Sequence, residues 1–270
     1  MGMEIREINT IEGCRELEDL QMAVWGGGER TVMPDHLLIT IQKNGGLLLG
    51  GYDETGRMVG FVMGFLGLTK KGKLKHCSHM AGVLPGLQNK NLGYQLKMAQ
   101  RDFVLKQGLD LVTWTFDPLE SRNARLNFHK LGVVCNTFMR NVYGEMADEL
   151  NAGLPSDRFQ VDWYIQAPWV AERAVGSWSA NRLAGLLREE TAVYSPLTYT
   201  SQLPTNGRFL VEIPASFQAV KQRDMGLARQ WRSQFRLMFE DLFAAGYHAT
   251  DLLFAGEQSF YLLEKKMEIG

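Results

Sequence analysis

With 270 residues, 45% of them hydrophobic and 22% charged, the chain has the composition of a soluble globular protein, large enough for one large domain or two smaller ones. Disordered and fibrous classes are excluded on those grounds. The formal net charge is -1, without a long Lys/Arg run or basic residues interleaved with aromatics, so neither nucleic acid nor an anionic membrane is expected as a partner. Cys14, Cys77 and Cys135 are too few and too widely spaced for a disulfide framework or a zinc cluster. No metal is expected, and a reducing cytoplasm is the simplest compartment. The first residues lack a basic-then-apolar leader, and the apolar runs are too short to span a bilayer.

In chain order, Glu4 to Ile8 reads as an edge strand and Ile11 to Trp25 as an amphipathic helix closed by glycines. A second helix starts at Met33-Pro34-Asp35 and runs to Lys43, where Asn44-Gly45-Gly46 stops it. Two apolar runs, Leu47 to Tyr52 and Met58 to Leu66, flank Asp53-Glu54-Thr55-Gly56 and predict a hairpin. Leu74 to Val83 has strand character, Pro85-Gly86 breaks it, and Leu92, Leu96, Ala99 and Phe103 recur at helical spacing. Leu109 to Phe116 is a further strand. Asp117 as cap, Pro118 at the first position and Glu120 at the third predict a helix start, ended by Gly132. Val133 to Tyr143 and Phe159 to Ile165 read as strands, with Met146 to Leu150 a helical turn between them.

Beyond this, 167–190 reads as helix and Thr191 to Gly207 as a turn-rich linker. Arg208 to Ile213 is predicted as a strand and Pro214 to Ala245 as one or two helices around Asp224. Tyr247 to Phe254 and Ser259 to Leu263 form a final pair of strands. That ending repeats the order of helix, glycine and two strands found at Gly132, either as a degenerate half-repeat or as an unrelated α/β extension.

The segment Gln88-Asn89-Lys90-Asn91-Leu92-Gly93 joins strand to helix. Its turn-prone residues let main-chain N–H groups point outward at a helix N-terminus, where phosphate is favoured. It resembles the pyrophosphate loop of the GNAT acyltransferase superfamily, Gln/Arg-x-x-Gly-x-Gly/Ala. Gln88 and Gly93 match the pattern, and Asn91 stands where the first glycine is usual. Asparagine is the next best residue at positive φ. Asn123-Ala124-Arg125-Leu126-Asn127-Phe128-His129-Lys130-Leu131-Gly132 resembles the superfamily's Asn-x-x-Ala-x-x-x-Tyr-x-Lys-x-Gly helix. The longer segment from Trp114 to Gly132 resembles a branch of large predicted acetyltransferases. The resemblance implies an α/β (α+β) fold with a GNAT-type mixed central sheet flanked by helices over 1–166, followed by a C-terminal α/β extension over 167–270. It also implies acetyl-CoA or another acyl-CoA as co-substrate.

By the same resemblance, Met80, Ala81, Gly82 and Val83 hold the pantetheine arm through their backbone. Gln88, Asn89, Asn91, Leu92, Gly93 and Tyr94 take the pyrophosphate, and Asn123 and Phe128 flank the arm. Acyl transfer to an amine also needs a base and a proton for the departing thiolate. The period of two puts His79 on the face of Ala81 and Val83, and its near-neutral imidazole makes it the candidate base. A histidine packed in the sheet is the alternative. Cys77 on the same face is disfavoured as a nucleophile because no activating partner is evident. Asp117 is a candidate for binding an ammonium or acting as base, with helix capping as the stronger reading. Phe128 has no proton to give where the superfamily often has Tyr, which leaves Tyr143, Asn127, His129 or solvent as acid, Tyr143 first. The expected function is an acyl-CoA-dependent N-acyltransferase acting on a small-molecule primary amine, with amino acids the preferred acceptors and succinyl a candidate acyl group. A GNAT-fold protein that binds acyl-CoA without turnover is the alternative, and a homodimer is left open.

Overall fold

The computed structural model describes residues 3–26, 32–87, 91–146, 151–176, 191–255 and 258–265. Its chain divides into two compact units, the first taking Met1–Trp114 and the second most of the remainder from Thr115 onward. The boundary expected after residue 166 falls inside the second unit.

In the first unit, β1 (Glu4–Glu7) leads to helices α1 (Ile11–Trp25) and α2 (Asp35–Lys43), then to β2 (Leu47–Tyr52), β3 (Met58–Leu68) and β4 (Leu74–Val83). Helix α3 (Leu92–Lys106) connects β4 to β5 (Leu111–Phe116). The strands lie in the order β1-β2-β3-β4-β5. The first four pair antiparallel, whereas β5 runs parallel to β4. A strand–helix–strand crossover is the connection that parallel neighbours require. Apolar residues cover both faces. Leu17, Leu20, Leu38, Phe61 and Met63 pack one layer under α1 and α2. Leu47, Leu49, Val59, Val62, Leu92 and Leu96 pack the other under α3. Gly51 and Gly60 let α3 settle close, because a Cβ on either would lie 2.8 Å from a Leu92 methyl.

The second unit contains α4 (Ser121–Ala124), which continues into seven residues of π-helix (Arg125–Leu131), then β6 (Val134–Met139), β7 (Arg158–Tyr164) and α5 (Pro168–Ala174). After β8 (Val193–Tyr194) come β9 (Arg208–Pro214), α6 (Phe217–Arg223), α7 (Met225–Ala244), β10 (Tyr247–Ala255) and β11 (Gln258–Lys265). The sheet order is β7-β6-β10-β11-β9-β8. In two helix-then-hairpin segments a left-handed glycine stands between helix and strands, Gly132 at φ 74° and Gly246 at φ 84°. Their inner strands pair antiparallel at Ala249 and Cys135. This is the order of helix, glycine and two strands read from the sequence.

Several boundaries differ from expectation. The helix expected at Asp117 starts at Ser121, because 117–120 closes as a turn with Glu120 N–H on the Asp117 carbonyl. The strand expected to reach Tyr143 stops at Met139, since Asn141 at φ 44° turns the chain. The linker expected at 191–207 includes β8, which pairs with β9, and a turn of 3-10 helix at Pro196–Thr198. Asp224 separates α6 from α7 and caps α7 through Leu227 N–H. The turn expected at Met146 to Leu150 has only Met146 inside the described residues, and of the helix expected over 167–190, residues 177–190 lie outside them.

Candidate active site

The first unit carries most of the expected site on β4 and the start of α3. On one edge β4 pairs with β3 from Leu74 to Val83; on the other it pairs with β5 at His76–Val112 and Cys77–Thr113. A bulge interrupts the β3 side, since Met63 opposes Met80 while Gly64 opposes Ser78, leaving His79 as the extra residue. An extra residue resets the alternation of side chains. Before it, Ser78 meets Lys97 of α3 and His76 meets Gln100. After it, Met80 packs in the layer of Leu17 and Leu20, and Val83 packs with Leu92 and Leu96.

The bulge overturns one expectation: strict alternation across the bulge does not put His79 on the face of Val83. Its exposed ring lies instead 5.7 Å from that of Phe65. Burial of the ring's protein side lowers the His79 pKa below the ordinary histidine value, so the imidazole is neutral near pH 7. Cys77 is half-buried and its thiol is pushed up by that burial, which disfavours a thiolate nucleophile.

Helix α3 begins at Asn91, which holds φ 63° and ψ 6° as its cap, the left-handed conformation that glycine or asparagine adopts most readily. The first turn has no acidic residue, so nothing there offsets the positive end of the helix. Leu92, expected at the pyrophosphate, buries its side chain in the core, leaving only its main chain for such a contact. Gly93 and Tyr94 are half-buried in the same turn. Gln88 and Asn89 lie outside the described residues.

A buried polar cluster behind β4 escaped the sequence reading. Lys97 Nζ donates to Ser78 Oγ at 2.8 Å and to Gln100 Oε1 at 3.0 Å, and lies 3.6 Å from the Trp114 ring centroid. Gln100 Nε2 lies 3.1 Å from His76 Nε2. Burial lowers the Lys97 pKa to about 7 and that of His76 to about 4. The available signal was the i+4 row Leu92, Leu96, Gln100, Val104, where a polar residue occupies a buried stripe.

In the second unit, the Asp117 carboxylate accepts from Leu119 N–H at 3.0 Å. It also accepts from both terminal nitrogens of Arg232, at 2.8 and 2.5 Å, and Arg158 stands 3.7 Å away. A carboxylate so engaged is an anchor, and the expectation of a base or ammonium site at Asp117 is corrected. Tyr143 is half-exposed, with its hydroxyl 2.7 Å from Thr115 Oγ1. Asn123 is exposed on α4. Phe128 is also corrected: it is fully buried, edge-on to Phe116 and to Tyr261 of β11, and is a core residue instead of a neighbour of the arm. Among the described residues no group of His, Cys, Asp and Glu could hold a metal ion, and no helix is long and apolar enough to cross a membrane.

No family model matches the chain, and no curated protein matches it. Solved structures similar to it include the ribosomal-protein-S18-alanine N-acetyltransferase of Escherichia coli, at 15% identity and TM-score 0.48 over 62% of this chain and 96% of that one. A GNAT-family acetyltransferase from Streptococcus pneumoniae matches at 15% and 0.48 over 60% and 98%. The yncA structure from Salmonella typhimurium, which holds its cofactor acetyl-CoA, matches at 20% and 0.47 over 62% and 96%.

Proposed function

We propose that the chain is an acyl-CoA-dependent N-acyltransferase. In this reading it moves an acetyl or other short acyl group, succinyl included, directly from the thioester to a primary amine of a small molecule, with amino acids the preferred acceptors. The observation that carries the reading is the sequence of β4, bulge and α3. Among the described residues, one edge of β4 is paired with β5 only at His76 and Cys77, and the strand leads to a fifteen-residue helix opened by a left-handed asparagine, with no acid in its first turn. A strand edge with main-chain groups to offer suits an amide-bearing pantetheine arm, and a helix N-terminus suits its pyrophosphate.

His79 is the candidate base. Its neutral ring takes a proton from the ammonium, the amine nitrogen bonds to the thioester carbon, the C–S bond breaks, and as the new amide nitrogen gives up its second proton to solvent the leaving thiolate takes one from solvent. Thermal-shift titration with CoA, acetyl-CoA and succinyl-CoA tests donor binding, because a ligand that binds only the folded chain raises its apparent stability. Thiol release with an amino-acid panel tests turnover. A shift with thiol release supports the enzyme, and a shift with no release under any amine supports the non-catalytic acyl-CoA binder. No shift at millimolar donor removes both.

A further inference from the structure

Past the two ladder pairs that join β4 to β5, His76–Val112 and Cys77–Thr113, the next residue of each strand touches the same atom. Lys97 Nζ donates to Ser78 Oγ at 2.8 Å and lies 3.6 Å from the Trp114 ring centroid. The amine of α3 therefore sits at the fork, against the first residue of each strand past their pairing. We propose that Lys97 is a positioning residue, a wedge that fixes the β4 edge beyond the fork, the edge on which the donor binds in the function proposed above.

The chemistry of the cluster fits a fixed support better than a filler. Lys97 is 4% exposed, and an amine buried this deeply loses far more hydration than an aliphatic chain would, so its contacts have to be directional. The hydroxyl of Ser78, the amide oxygen of Gln100 and the π-face of Trp114 supply them from three separate elements. Accepting from Lys97 orients the Gln100 amide so that its NH2 group faces His76 Nε2. This assigns the ring proton of His76, which is 0% exposed, to Nδ1. Burial lowers the pKa values of both groups, consistent with a cluster held together by hydrogen bonds more than by opposed charges. Ser78 immediately precedes the extra residue His79, so an error in its position passes directly to the bulge and to the main chain of Met80 to Val83. Reacting groups tolerate little such error.

Two variants separate this role from general stability. K97M keeps the volume and removes the donor hydrogens. V104A removes buried volume from the same helix, at a residue that is 0% exposed. Hydrogen exchange read by mass spectrometry should show 78–83 exchanging about tenfold faster in K97M than in V104A at matched loss of Tm. The dissociation constant for the thioester should rise about tenfold in K97M alone. Equal exchange and equal donor affinity in the two variants would overturn the proposal. Should K97M not fold, S78A, which removes the acceptor of the same contact, is read the same way. If the unmodified chain binds no thioester, the functional reading fails, and the exchange comparison still decides whether Lys97 sets the fork.

Discussion

Asn91 is the residue at which sequence and geometry meet most directly. It departs from the glycine of the pattern it resembles, and it adopts φ 63° all the same. A β-branched side chain there meets the steric penalty of the left-handed region, roughly 1–2 kcal/mol. N91V should therefore lose about that much stability in urea denaturation and bind CoA more weakly, while N91G keeps both. His79 makes a second prediction. Its pKa lies below 6.5 in the folded chain, so the base is already free at neutral pH and is lost only as acid protonates it. The acidic limb of kcat/KM should fall below pH 6.5, and H79Q should lower kcat by about a hundredfold and abolish that limb. A limb unchanged in H79Q would assign the base elsewhere. Phe128 carried the clearest warning in the sequence, a ring without a hydroxyl, but the residue that explains it, Tyr261, lies far along the chain, and no local pattern could have named it.

At the scale of elements, the order of strands and helices through β5 was legible because each carries its own period and punctuation. The long helix split at Asp224 was legible for the same reason, a capping aspartate between two apolar stripes. The start of α4 was misplaced because Asp117-Pro118 is equally good turn chemistry, and the decision belongs to Arg232, 115 residues away. The bulge at His79 was invisible, since it depends on how β3 and β4 register and not on either strand alone. The Asp117–Arg232 contact fastens the turn after β5 to α7, with Arg232 only 3% exposed. R232M should cost about 3 kcal/mol, because it strips a buried carboxylate of its main partner. The D117N/R232M double variant should recover part of that loss in the same denaturation assay. A double-variant cost equal to the sum of the D117N and R232M costs would mean that the pair is not coupled.

For the whole molecule, the C-terminal extension is part of the second unit's core. Phe159 of β7 lies 5.1 Å from Phe239 of α7 and 5.5 Å from Tyr261 of β11. Phe235 and Phe239 stack at 4.1 Å. Burying rings of this size dominates a core, and losing one costs about 3–5 kcal/mol. A chain ended at Gln166 should therefore lose the part of the circular-dichroism transition that belongs to the second unit, and Y261A in the full chain should lower stability by several kcal/mol, about the cost just given. A truncated chain whose residues 115–166 stayed protected from hydrogen exchange would mark the extension as dispensable. Composition could not reveal this, because both halves are similarly rich in apolar residues and the contacts join residues 80 to 102 positions apart.

The hydroxyl of Tyr261 donates to the carbonyl of Pro118, 143 residues earlier, at 2.7 Å. During synthesis the turn after β5 therefore waits for nearly the last strand. At roughly 5–20 residues per second, the delay is roughly 7 to 30 s. For that interval Phe128 and Phe159 have no Tyr261 to cover them, and the nascent chain presents a stretch of bare aromatic surface of the kind that chaperones hold and proteases find.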